Sequence, residues 1–227
     1  MKRLKSYGRV AACLLALAFA AGASAAQPAP GKDYRVISPP QPTATGRQIE
    51  VIEFFYYGCP HCNALQPTLR VWLKRKPADV EFRREPAVFQ DGWLPLTSAY
   101  HAFEAMGITH KVHYELFGAI HESRSLSIKG LLRDQKPLFD WVAKQGVDRK
   151  QFVDVYNSFG VRSRTNRSLE MTRSYDIEGT PALVIDGKYI IMLSHALKPD
   201  NSGVDFERFS QLLDEMIAKA RKERAGK

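Results

Sequence analysis

Cysteine is nearly absent from this 227-residue chain, with only Cys13, Cys59 and Cys62. So few thiols exclude a fold held by a disulfide framework. With no second cysteine pair, they also cannot complete the four-ligand shell of a structural zinc site. Histidine does not fill that gap: His101, His110, His113, His121 and His195 show no ligand spacing tied to the cysteines and read as surface or satisfied helix histidines. A nucleic-acid-binding stripe is missing too. Despite a formal charge of +9, basic residues are not interleaved with aromatics along any face. No repeat of fixed length is visible. The most conspicuous apolar run, Val10 to Ala21, is too short to span a bilayer.

That run belongs to a leader. Lys2, Arg3, Lys5 and Arg9 precede it, and Ala23-Ser24-Ala25 follows as an A-x-A cleavage site, so residues 1–25 read as a secretory signal peptide. Val10-Ala11-Ala12-Cys13 has the outline of a lipoprotein box, but its apolar region follows the cysteine instead of preceding it. Removing the leader takes away four basic residues and no acidic one, which lowers the formal charge to +5. It leaves Cys59 and Cys62 as the only thiols. In an exported chain a single close pair points to reactivity, not to scaffolding. Much of the remaining positive charge lies in Lys219 to Lys227, expected to be a frayed, solvated helix end. An apolar content of 44% over about 200 mature residues allows one or two packed units.

The chain is organised around Glu50-Val51-Ile52-Glu53-Phe54-Phe55-Tyr56-Tyr57-Gly58-Cys59-Pro60-His61-Cys62. Alternate residues are apolar on both faces, as in a central strand covered on both sides. Gly58 breaks the pattern, and Pro60 suits the first position of a helix, where its missing N–H costs nothing. Leu65, Leu69 and Trp72 continue at helical spacing. Cys59 therefore falls at the helix start, where free N–H groups and the dipole favour a thiolate. Cys62, one turn on, is the candidate resolving thiol. A protonated His61 would add positive charge beside Cys59, the alternative being a plain exposed turn residue. Stabilising the anion makes Cys59 a better leaving group and its disulfide more oxidising.

This segment closely resembles the active site of the DsbA family, the thiol:disulfide oxidoreductases of the bacterial periplasm, in which Pro-His separates the cysteines. The resemblance implies a thioredoxin fold, an α/β architecture, with an inserted all-helical domain. It also implies an oxidase whose Cys59–Cys62 disulfide passes to reduced, unfolded exported proteins, and which a DsbB-type membrane partner reoxidises at the expense of quinone. No metal or organic cofactor is expected, no nucleic acid, and a monomer. Glu53 is costly in a doubly apolar strand unless paired or protonated. It reads either as a core carboxylate paired with Arg84 or, as the resemblance implies, as a proton-transfer partner of Cys62.

Around this segment the expected units are residues 26–90 (first part of the thioredoxin-like domain), 91–168 (the insertion) and 169–227 (second part). Tyr34 to Ile37 is a short strand candidate. Pro67 predicts a kink in the active-site helix, and Asp79 to Phe89 completes a βαβ unit. Five helices are expected in the insertion, around Leu96, Val112, Leu131, Leu138 and Phe152, punctuated by Gly107, Gly146 and Gly160. A further helix, near Arg162 to Tyr175, leads back to the sheet. Two apolar runs around Asp186-Gly187 predict a hairpin entered by Pro181. In the thioredoxin superfamily a cis-proline at this place lies against the cysteines, and the residue before it, here Thr180, bonds a bound peptide. Phe206, Phe209, Leu213 and Met216 mark a C-terminal amphipathic helix.

Overall fold

The computed structural model describes residues 27–226, so the leader assigned to residues 1–25 lies outside the described residues. In chain order the first elements are β1 (Arg35–Val36), β2 (Ile49–Phe55), α1 (Pro60–Arg75) and β3 (Val80–Pro86). A helical block follows: α2 (Leu94–Ala105), α3 (Thr109–His121), α4 (Ile128–Leu131), α5 (Lys136–Lys144) and α6 (Arg149–Tyr156). Then come α7 (Phe159–Ser174), β4 (Ala182–Ile185), β5 (Tyr189–Met192) and α8 (Phe206–Ala225).

The strands form one sheet in the order β1-β5-β4-β2-β3. Strand β2 sits inside it with all seven residues buried, as its doubly apolar sequence requires. Helix α1 carries the chain across to β3, which runs parallel to β2; β4 pairs antiparallel on the other side. On one face, Leu65, Leu69 and Trp72 of α1 meet Phe209, Leu213 and Met216 of α8 over Val51, Leu183 and Ile191. Each of these large side chains contributes about 1.5–3 kcal/mol by leaving water. The opposite face is covered by Met171 and Tyr175 at the end of α7, against Ile52, Phe54 and Val184. A third core joins α2 to α6, and it includes Phe55, Tyr57 and Cys62 from the sheet side. This is a thioredoxin fold carrying an inserted helical domain.

The elements expected from periodicity are present, with differences at their ends. Helix α7 begins at Phe159, so Gly160 lies in its first turn, while Gly107 and Gly146 do end helices at positive φ. The same helix continues unbroken through residue 168, so the domain boundary drawn there falls inside an element. Pro67 sits within α1, whose helical span is likewise uninterrupted.

The basic C-terminal stretch corrects the expectation of a frayed end: α8 stays helical to Ala225 because its charges have partners. Arg221 binds both carboxylate oxygens of Asp79, and Arg224 reaches Asp186 and, at 2.8 Å, the carbonyl of Gly46. The paired acids lie far off in sequence, so composition alone could not reveal them.

In the β4–β5 turn, Asp186 and Gly187 have φ of 55° and 64°, and Lys188 N–H donates to the Ile185 carbonyl at 3.0 Å. Gly187 faces Gln41, whose N–H donates to its carbonyl at 2.8 Å. A Cβ here would lie 2.1 Å from the Gln41 carbonyl oxygen, in a backbone region that L side chains rarely adopt. Gly187→Ala is therefore expected to destabilise the protein by about 2–4 kcal/mol, measured as a lowered midpoint in urea. An unchanged midpoint would show that the contact is not held in solution.

Candidate active site

Strand β2 ends at Phe55, and the chain runs through Tyr56, Tyr57 and Gly58 to α1. Gly58 has no room for a side chain: a Cβ would meet the Tyr56 ring at 2.4 Å and Ile128 at 3.1 Å. Cys59 then takes an extended conformation as the N-cap, with Pro60 at the first helical position. Its Sγ accepts from the Cys62 backbone N–H at 3.4 Å, and its carbonyl accepts from Asn63 N–H at 3.1 Å. Both cysteines are free thiols, Cys59 half-buried and Cys62 buried.

The environment drives the two thiols apart. Cys59 is lowered to about 5, first by the Cys62 thiol as donor, then by the Thr180 side chain and by the backbone N–H groups of Cys62 and His61, against an opposing cost of burial. Cys62 is pushed well above an ordinary thiol, chiefly by burial, with the hydrogen bond and charge of Cys59 adding to it. One helical turn thus holds a thiolate and, behind it, a thiol that keeps its proton. His61 is exposed, and the contribution seen here comes from its main chain.

Glu53 is fully buried on β2. Arg84 is its register partner on β3, so the two side chains share a face, and Arg84 Nε donates to Glu53 Oε2 at 2.9 Å. Burial raises the Glu53 carboxyl in spite of Arg84, which partly offsets it together with a hydrogen bond from Gln66. Gln66 was not singled out in the sequence. It sits one turn beyond Cys62 at an apolar-stripe position, and only that polar residue on a buried face could have drawn notice.

The second half of the site comes from the other end of the chain. The Thr180–Pro181 peptide is cis, as is Ser38–Pro39 far from the cysteines. The protonated Cys59 thiol donates to the Thr180 carbonyl at 3.3 Å. Around the pair lies apolar and aromatic surface. Trp93 stacks on Tyr56 at 3.9 Å between ring centroids, Phe89 meets Trp93 edge-on, and Phe89 and Leu132 are exposed.

Of the remaining histidines, His110 is exposed on the surface, while His101, His113, His121 and His195 make hydrogen bonds within the fold, though not all are fully satisfied. Tyr57 is held from α3 twice: its hydroxyl lies 2.9 Å from His113 Nδ1, and its carbonyl accepts from His121 Nε2 at 2.7 Å. His113 is buried with Nε2 unpartnered, and burial keeps it well below the usual histidine range. His101 links Ser168 at 2.7 Å to Glu104 at 3.3 Å, the connectivity of a hydrolase triad. Ser168 is fully buried between α2 and α7 and donates to Glu85 at 2.6 Å, so this chain of bonds is part of the packing.

Fold and cysteine geometry together define a thioredoxin-fold thiol:disulfide oxidoreductase. A family model, the DSBA-like thioredoxin domain, matches residues 94–203. The chain is 43% identical over 180 residues to the thiol:disulfide interchange protein DsbA of Burkholderia cepacia, covering 78% of this chain and 82% of that one. With DsbA of Pseudomonas syringae pv. tomato it shares 35% identity over 93% of this chain and 94% of that protein. The crystal structure of Pseudomonas aeruginosa DsbA superposes with a TM-score of 0.76 at 34% identity, over 86% of this chain and 95% of that one. The chain belongs to the DsbA family.

The lowered thiol makes a direct expectation. In the reduced protein, alkylation of Cys59 by iodoacetamide should follow a midpoint near pH 5, the value of about 5 set by its surroundings. The folded state then holds fewer protons than the unfolded one between about pH 5 and 9, so reduced-state stability rises with pH across that window. The gain disappears as pH falls through about 5, and at pH 7 it amounts to about 1–2 kcal/mol after allowance for solvent at the sulfur. A midpoint near that of a free thiol would remove the basis for both expectations.

Proposed function

We propose that the protein is an oxidase of exported proteins: it donates the Cys59–Cys62 disulfide to newly exported, reduced chains in the periplasm. The observation that carries this reading is the Cys59 sulfur at the N-cap of α1, surrounded by donors that favour its anion. A thiolate of the client attacks the Cys59 sulfur of the enzyme disulfide. The S–S bond breaks, its electron pair goes to Cys62, and Cys62 takes up a proton in its buried site. The client's second thiolate then attacks its own sulfur in the mixed disulfide and releases Cys59 as a stable anion.

Holding that anion favours the reduced enzyme by about 1–2 kcal/mol, which raises a two-electron potential by about 20–40 mV over the same pair with an ordinary thiol. This supports an oxidase over a reductant. Client chains dock with their backbone at Thr180 and Pro181 and their apolar side chains on the surface around Trp93 and Phe89. Reoxidation falls to a DsbB-type membrane partner that passes the electrons to quinone. The cysteine pair carries both electrons, so neither metal nor organic cofactor enters the cycle, and the protein acts as a monomer.

The test is transfer to a reduced, unfolded polypeptide, followed by thiol trapping. One disulfide should pass per oxidised enzyme. Cys59→Ser should abolish transfer, and Cys62→Ser, preloaded as a mixed disulfide at Cys59, should still hand that bond to a client thiol. Adding membranes that contain the quinone-linked partner should make turnover catalytic. Failure of the oxidised wild-type protein to lose its disulfide to the polypeptide would end this reading.

A further inference from the structure

Between Glu53 and Cys62 lies Gln66, 4% exposed. Its Nε2 donates to Glu53 Oε1 at 2.9 Å and to the Cys62 carbonyl at 3.1 Å, which spends both amide hydrogens. Its Oε1 is buried with no partner. A side chain here could have been apolar, as Leu65 and Leu69 are on the same helix. Burying an amide with a lone oxygen unsatisfied carries a cost of its own. Glu53 itself faces Arg84 from β3 and Cys62 and Gln66 from α1, and its charge bears on the neutral Tyr57 hydroxyl at the α1 entry. Tyr114 and Tyr100 reach it through Arg84: the Arg84 guanidinium donates to Tyr114 Oη at 3.2 Å, and Tyr100 Oη donates to the Arg84 carbonyl at 3.3 Å.

We infer that Gln66 is a positioning residue for proton exchange between Glu53 and Cys62, an amide able to partner the carboxyl in either protonation state. When Glu53 is a carboxylate, the amide N–H donates to it through the 2.9 Å contact from Gln66 Nε2 to Glu53 Oε1. When Glu53 is a carboxylic acid, its O–H needs an acceptor, and the free Gln66 Oε1 is one that a rotation of the amide presents. The inference rests on the oxidase reading above. In the step it serves, the electron pair of the broken S–S bond arrives on Cys62, and the Glu53 carboxyl gives its proton to that sulfur and becomes a carboxylate. The Gln66 N–H then binds the carboxylate on the same helical turn that carries Cys62. A leucine would leave the carboxyl oxygen unpartnered, and a glutamate would set a second acid against it.

The experiment is the pH dependence of single-turnover disulfide transfer from the oxidised enzyme to a reduced polypeptide. Glu53→Gln identifies the limb of the profile that belongs to Glu53, because that limb disappears in this variant. In Gln66→Met the carboxylate loses its donor, so the same limb should move to higher pH by about one unit. In Gln66→Glu it should move further and broaden into two coupled steps. The alkylation midpoint of Cys59 should stay near its wild-type value in both. In the wild-type protein, the Gln66 side-chain amide resonance should titrate with the midpoint of that limb, a readout that needs no Gln66 variant. A lowered melting temperature with the limb unmoved, or an amide resonance insensitive to pH, would overturn the inference and leave Gln66 a packing residue. A Glu53→Gln profile identical to wild type would instead overturn the role given to Glu53, and the inference would fall with it; disulfide transfer by Cys59 could still stand.

Discussion

The structure depends on one sulfur held at the open end of a helix. At Cys59, backbone N–H groups that have no carbonyl partner inside α1 find one in Sγ, and the Cys62 thiol adds a further donor. That arrangement needs the chain to leave β2, turn at Gly58 and begin a helix at Pro60 within five residues of Phe55. It also needs the second thiol to stay protonated, which burial of Cys62 secures. The two requirements conflict only if both thiols are wet or both are buried. Placing one at the surface of the helix start and the other a turn inside it resolves the conflict.

The inserted helices make that placement rigid. Phe55, Tyr57 and Cys62 belong to the insertion's core, so the loop between strand and helix is packed from above as well as from below. Phe55 meets the rings of Tyr57, Tyr100 and His113 edge-on, and the hydroxyl and carbonyl of Tyr57 are both occupied from α3. Helix α7 ties the two bodies together, with Val161 in the core of the insertion and Met171 in that of the sheet. The insertion is therefore a second wall of the site.

The sequence carried the fold wherever side chains repeat with a period. The doubly apolar run at β2, the stripe Leu65-Leu69-Trp72, the five helices of the insertion and the turn at Asp186-Gly187 all follow from local pattern. The cysteine pair was legible too, because strand, glycine and proline framed it. What stayed hidden depends on pairing across long stretches of chain. Arg221 and Asp79 are 142 residues apart, so the order at the end of α8 could not be read from its basic composition. Gln66 was hidden for a related reason: its meaning comes from Glu53 on a strand and Cys62 on a helix, and neither neighbour is visible in a window around it.

Because the Cys62 sulfur is sealed, every exchange has the same point of entry. Any thiol or disulfide that exchanges with the pair must bond the one accessible atom, so exchange partners occupy it in turn and never together. Loading and unloading are thereby separated in time with no moving gate. A bystander thiol that captures the entrance blocks the whole cycle until it is displaced.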